Sequence, residues 1–347
     1  MTLTQAEAAG GAIVARGPVP ATGWARTHSA GRAGRSAAWI VLQAAVVLLL
    51  ASFLTFALGA ASGSNPAAVA LGDQATPEDV ARLNQEFGLD QPFLVRYADW
   101  LLGALRGDLG TSWFSGIPVT QSIATALPVS LSIALGATIL AIVLGGGTGI
   151  AAAVFRGSWL DRGITAFNTA LATIPAFVAG IALILLFAYA VPLFPVGGYV
   201  PPGVGIGLWL SCLVLPCLAL SLDAASDLSR QLRTSLVGAL GQNYVIGATV
   251  HGIPPWRRVW GHALPNALGP AVATLGLHVP RLVGGAVITE AVFGMPGLGL
   301  LARHSAVTGD VPVVQGVLLV SAVVVVVTGI LVNLLLSRVS ASERSAS

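Results

Sequence analysis

Lysine does not occur in this chain of 347 residues; all seventeen basic side chains are arginine. A phosphate-binding loop of the GxxxxGK(S/T) type cannot be built without its lysine, so any nucleotide that powers this protein must be bound by another chain. Charge of either sign is scarce, at 9% of residues against about a quarter in ordinary soluble domains, while 55% of residues are hydrophobic. That balance excludes a soluble domain and indicates a polytopic membrane protein. Cysteine is limited to Cys212 and Cys217, which lie five apart in one apolar stretch and so on different faces of a helix. Neither a disulfide nor a metal site is expected from them. His251 and His262 sit in a loop with no other ligand types around them. Missing too are an HExxH segment, a nucleophile motif inside a span and paired acids at matching depth, so no reaction is expected of this chain. No internal repeat is visible, which counts against transporters built on inverted halves.

The arginines are spread over loops and read as orientation signals, not as a nucleic-acid footprint. Residues 1–35, rich in Ala, Gly, Thr and Arg without apolar periodicity, are expected to form a disordered cytoplasmic tail. An all-α membrane domain is expected over residues 36–337, with six spans at about 39–61, 128–155, 164–191, 206–226, 266–292 and 311–336. A cleaved signal peptide competes for the first of these, but its apolar run exceeds a typical h-region, which favours an uncleaved span. The loop 62–127 holds seven of the fourteen acidic residues against three arginines and suits the outer face. Within it, Thr76, Pro77, Glu78 and Asp79 form a helix start with cap, first-turn proline and acid. A second piece from Pro92 places Leu94, Tyr97, Leu101 and Leu105 at helical spacing, fit to lie in the headgroup layer or to pack on the bundle. Twelve arginines fall on the inside of this topology and four outside, which sets both termini, including residues 338–347, in the cytoplasm.

The inner loop 227–265 carries the segment NYVIGATVHGIPPWRRVWGHALPNAL at residues 243–268. Asn243 suits an N-cap, and Tyr244, Ala248 and His251 fall on one face of the short helix that follows. Gly252 can take the left-handed conformation that stops a helix, and Pro254 and Pro255 forbid continuation until a second piece starts near Trp256. Arg257 and Arg258 follow, as a membrane-proximal inner loop requires. A short helix, a glycine stop and an anchoring helix make either a surface for docking a soluble partner or an ordinary cytoplasmic loop.

The spacing of Ala248, Gly252 and the later run His262, Ala263, Leu264 and Pro265 resembles the EAA loop of permease subunits in ATP-binding-cassette (ABC) importers, the peptide and nickel branch especially. Ile246 and Gly247 stand where that motif has Glu and Ala, with the spacing intact. Similar to the same branch are GLDQP at 88–92, GDLGTS at 107–112, TIPAF at 173–177, FPVGGY at 194–199, EAVFGMPGLGLL at 290–301 and DVPVVQG at 310–316. The usual PGDP after the first span is replaced by Ser62, Gly63, Ser64, Asn65 and Pro66. The resemblance covers about residues 36–336. It implies that the segment forms a coupling helix seated on an ATPase, with Tyr244, Ala248, His251, Gly252, Arg257, Leu264 and Pro265 as the coupling residues. It also implies a second homologous permease subunit, two ATPase subunits that bind the ATP, an extracytoplasmic substrate-binding protein and a bacterial inner-membrane location. The substrate class of the branch is peptides or similar small solutes, and this chain would bind no cofactor and no nucleic acid.

The fifth span is interrupted by Gly269, Pro270, Gly276, Pro280, Gly284 and Gly285, and it contains His278 and Arg281 on a shared face. An arginine at that depth costs about 2.5–3.5 kcal/mol unless it meets protein or a wet cavity. It either lines a translocation path and binds a carboxylate, or snorkels to the interface, or pairs with an acid of a neighbouring chain. Asp223 and Asp227 lie four apart near the inner end of the fourth span, and Asp227 is expected to pair with Arg230 or Arg233. An ion-coupled secondary transporter working without an ATPase would use Arg281, Asp223 and Asp227 as its coupling residues. The scarcity of intramembrane acids counts against it.

Overall fold

The computed structural model describes residues 29–61, 65–72 and 75–346. The chain divides into two units, Met1–Val46 and Val47–Ser347. In the first, the described part is helical from Ser29, whereas residues 1–28 of the expected tail lie outside the described residues. Among the described residues all regular structure is helical, apart from an isolated bridge between Thr111 and Pro118.

Helix α1 (Ser29–Ala61) is followed by three short helices, α2 (Pro66–Leu71), α3 (Pro77–Glu86) and α4 (Phe93–Leu105). Their starts follow local chemistry. Asn65 caps α2 by accepting from the Ala67 N–H at 2.9 Å, and Thr76 caps α3 by accepting from the Asp79 N–H at 3.2 Å, each with proline in the first turn. Thr76 also donates to the Asp79 carboxylate at 2.7 Å, which holds that carboxyl below its ordinary pKa, with Arg82 adding to the effect. Of the two placements open to α4, packing on the bundle is the one observed. Phe93 and Tyr97 meet Phe53 and Phe56 with ring centroids 5.3–5.7 Å apart, and Tyr97 shares a 2.9 Å hydrogen bond with Ser52.

Four helices among the described residues are long and apolar enough to cross a membrane: α5 (Val119–Val154), α8 (Ile206–Leu240), the continuous stretch Pro255–Phe293 and Val311–Val332 of α13 (Val311–Ala346). A fifth exists if α6 (Trp159–Ala172) and the stretch Ala176–Ala190, which opens with α7 (Ala176–Ile184), are counted together. They meet at 103°, where a continuous span over 164–191 was expected. Pro175 is the reason: it has no N–H to donate and disfavours helical geometry at Ile174, so the ladder stops at Thr173 and restarts at Ala176. Helix α5 begins at Val119, well before the expected start at 128, because Val119, Ile123 and Ala126 are buried with Leu298, Val313 and Val317.

Helices α5 and α8 form the centre of the bundle and approach backbone to backbone. A Cβ added at Gly145 would lie 2.5 Å from the Ala225 carbonyl oxygen, and one at Gly149 2.8 Å from that of Ser229. Two glycines four apart remove the side chains that would otherwise hold the helices apart. The approach allows Thr148 to hydrogen-bond Ser229 at 2.9 Å, while Asn168 of α6 donates to the same hydroxyl at 2.8 Å. Below them, at the α5–α6 turn, Arg233 of α8 clasps buried Asp161 through two bonds of 2.6 and 2.7 Å, and the Gly157 N–H donates to the same carboxylate at 2.9 Å.

Candidate functional site

After α8 the chain turns into α9 (Asn243–Val250), then α10 (Pro255–Arg257), a π-helical turn over Arg258–Ala263, and α11 (Leu264–Phe293). The cap of α9 is Gln242, whose side chain makes no capping bond; Asn243, expected to cap, is the first helical residue. The helix starts because packing holds it. Val245 is buried among Leu232, Leu236, Val259, Ala263 and Leu264, and Ala248 is buried as well. The opposite side presents Tyr244, Ile246 and Val250, the last 81% exposed. Ala248 therefore anchors α9 to the bundle, and it does not share an exposed face with Tyr244 and His251.

The remaining coupling candidates divide in the same way. Gly252 adopts φ 73° and ends the helix, with the Ile253 N–H closing onto the Ala248 carbonyl at 3.1 Å. His251 is exposed and its Nδ1 lies 2.8 Å from the Gly247 carbonyl oxygen. Leu264 is buried, while Pro265 is exposed. Arg257 is exposed and lies over the Trp256 ring at 5.1 Å. The arginine that fastens the two pieces is instead Arg258, which donates to the Thr249 hydroxyl at 2.6 Å; Asn266 likewise donates to the Tyr244 hydroxyl at 2.9 Å. Both bonds span the Gly252 turn, so spacing along either helix could not reveal them.

Along α11 the structure brings His278 and Arg281 to one cavity of about 360 Å³, shared with Asp223 and Leu220 of α8 and with Thr173 and Pro175 at the α6–α7 break. His278 is buried, with Nε2 2.9 Å from Asp227 and Nδ1 3.7 Å from Asp223. Asp227 pairs also with Arg230, as one of the two expected arginines, whereas Arg233 belongs to Asp161. Arg281 is exposed and makes no ion pair among the described residues.

A further buried acid was not singled out from the sequence. Glu290, near the end of α11, is wholly buried. It accepts from the Ser130 hydroxyl of α5 at 2.6 Å and from the N–H groups of Gly299 and Leu300 at 2.8 and 3.0 Å, at the start of α12 (Leu298–Thr308). Ser130 in turn accepts from the Leu298 N–H at 2.8 Å. Three helices are tied by one carboxylate. Its sequence signals are that Glu290 opens the segment EAVFGMPGLGLL and that it is the single acidic residue between Asp227 and Asp310.

The described residues form a helical protein with four helices long and apolar enough to cross a membrane, or five with the bent pair, and comparison with known proteins gives the family. Residues 145–344 match the family described as binding-protein-dependent transport system inner membrane component, and residues 38–134 match its N-terminal region. The chain belongs to that family, and is the permease subunit of a bacterial ABC importer in the inner membrane. It is 36% identical over 295 residues to a protein of Brucella abortus whose name assigns it to a peptide transport system as a permease, covering 85% of this chain and 94% of that protein. It is 31% identical to the oligopeptide transport system permease protein AppB of Bacillus subtilis, over 86% and 96% of the two chains. It is 29% identical to the metal-staphylopine import system permease protein CntB of Staphylococcus aureus, over 83% and 91%. Among solved structures, a chain of the inward-facing MetNI methionine ABC transporter shares the fold, with TM-score 0.53 and 19% identity over 63% of this chain and 96% of that one.

Proposed function

We propose that this permease takes short peptides or similar small solutes from a substrate-binding protein on the outer face and passes them to the cytoplasm. It would do so paired with a second related permease and driven by two ATPase subunits that bind and hydrolyse the ATP. In this reading α1 completes six spans with both termini inside, and the chain itself hydrolyses nothing. The observation that carries it is the mechanical continuity of docking helix and cavity. Helix α9 is pinned by buried Val245 and Ala248 and by Arg258, and the stretch from Pro255 to Phe293 is one apolar helix carrying His278 and Arg281. A displacement applied at Tyr244, Ile246 and Val250 therefore reaches the cavity along a single rigid element, roughly 35 Å on at 1.5 Å per residue. Alternating access follows when closure of the ATPase pair tilts that element.

The experiment is co-purification of the tagged chain in mild detergent beside Gly252→Val, whose β-branched side chain cannot adopt the left-handed turn without strain. An ATPase carrying a phosphate-binding loop should accompany the wild type and be lost from the variant. If the chain comes out alone and moves solute in liposomes under an ion gradient, the coupled-importer reading fails.

A further inference from the structure

The cavity at the α6–α7 break holds two charges of opposite sign that do not neutralise each other. Of the ionisable groups around it, Asp227 has Arg230 and His278 as partners. Asp223 is different: its carboxylate is 63% exposed, and its nearest basic group is the His278 Nδ1 at 3.7 Å. Arg281 is exposed to the same space, and no ion pair links its guanidinium to Asp223 or to any other described carboxylate. One acid on α8 and one base on α11 thus face a common cavity with their strongest bonding capacity unused.

A charge on a membrane-spanning helix is costly in an apolar setting and is sustained only where water or a polar ligand reaches it. A structural role within this chain would have joined Asp223 and Arg281 to each other, since a closed pair regains part of the desolvation cost and an open pair regains none. The third wall is the break itself. Pro175 cannot donate, and α7 begins at Ala176 without a side-chain cap, so backbone groups of the interrupted helix also face this region. Irregular backbone at membrane depth is tolerated where it lines a cavity. A volume of about 360 Å³ falls within the range of small-molecule sites and suits a ligand of a few residues.

We propose that Asp223 and Arg281 form a two-point site for a zwitterionic short peptide, Asp223 taking the free α-amino group and Arg281 the free α-carboxylate. The assignment rests on the reading of this cavity as part of the transport path, and it makes the permease itself selective for unblocked termini in addition to any selection by the binding protein. Arginine suits its half of the task because its planar fork matches a carboxylate bidentately. Asp223, with most of its carboxylate surface open, can accept from an ammonium without giving up another partner.

The test is equilibrium binding of labelled trialanine to the purified permease–ATPase complex with the binding protein left out, so that only this site is read. Competitors are unlabelled trialanine, trialanine amide and N-acetyl-trialanine. The wild type should bind trialanine saturably and both blocked peptides at least tenfold more weakly. Arg281→Gln should lose discrimination against the amide alone, and Asp223→Asn against the acetylated peptide alone, while Arg281→Lys should restore part of the discrimination against the amide. Co-purifying ATPase in each variant reports that assembly is intact. Equal binding of all three peptides, a uniform loss with every competitor in both variants, or no binding of trialanine at all would overturn the site. ATP-driven uptake by the complete transporter judges the importer reading separately, so the site can fail while that reading stands.

Discussion

At Glu290 a carboxylate does the work that three separate caps would otherwise do. It is wholly buried and answers the Ser130 hydroxyl and two N–H groups of the α12 start. Glu290→Ala should leave those neutral donors unpaired, at about 1–3 kcal/mol for each buried donor that finds no other partner. Glu290→Gln retains an acceptor oxygen and should cost distinctly less. Thermal unfolding in detergent separates the two, and equal midpoints for Ala and wild type would remove the capping role. Asp79 is the exposed counterpart. Its carboxyl is held below the usual carboxylate range chiefly by the Thr76 hydroxyl, then helped by Arg82. A depressed folded-state value contributes stability above the ordinary pKa of about 3.9, which is lost as pH falls through the lower folded-state value. Amide protection across Pro77–Glu86, taken relative to the intrinsic exchange rate at each pH, should fall on acidification into that range. Thr76→Ala should shift the change to higher pH. The Thr76 cap was legible in the sequence because its partners lie within three residues. The Glu290 cap was not, because its partners come from α5 and α12 and from chain positions as far off as Ser130.

Among the elements, the α5–α8 contact depends on what two positions lack. Gly149→Ala would bring a methyl against the Ser229 carbonyl, and Gly145→Val would force a branched side chain against Ala225. The first should cost about 1–3 kcal/mol, and the second more, read as a lowered unfolding midpoint and reduced folded yield. If Gly145→Val unfolds at the wild-type temperature, the close approach is not a determinant of stability. Composition could not pick these glycines from forty-two; only the partner helix distinguishes them. The α6–α7 break tells the reverse story, since Pro175 stood in plain view within an apolar run. The run is long enough to span, but the missing N–H outweighs apolar length, and the backbone turns by 103° where one continuous span is expected. Asn243 shows the same limit at a helix start. Its propensity to cap was overridden by burial of Val245 and Ala248, which set the register of α9 one residue earlier, with Gln242 as the cap.

For the whole molecule, orientation is the property open to direct test. In a background with Cys212 and Cys217 replaced by serine, single cysteines at Ser115, Thr249 and Ser340 should divide by membrane-impermeant labelling of intact cells. Ser115 should react, and Thr249 and Ser340 should react only after permeabilisation; labelling of Ser340 from outside would refute the six-span topology with cytoplasmic termini. Sequence alone determined the membrane class, the helical architecture, the lack of a GxxxxGK(S/T) phosphate-binding loop and the family, because these rest on composition, on run length and on motifs contained within single segments. Tertiary structure decided the rest. It turned Ala248 inward and Ile246 outward, chose Arg258 over Arg257 to brace the turn, and set Asp223 and Arg281, more than fifty residues apart in the chain, on one cavity. Burial, pairing and cavity shape are properties of surfaces brought together from distant segments, and no local pattern of side chains encodes which surfaces will meet.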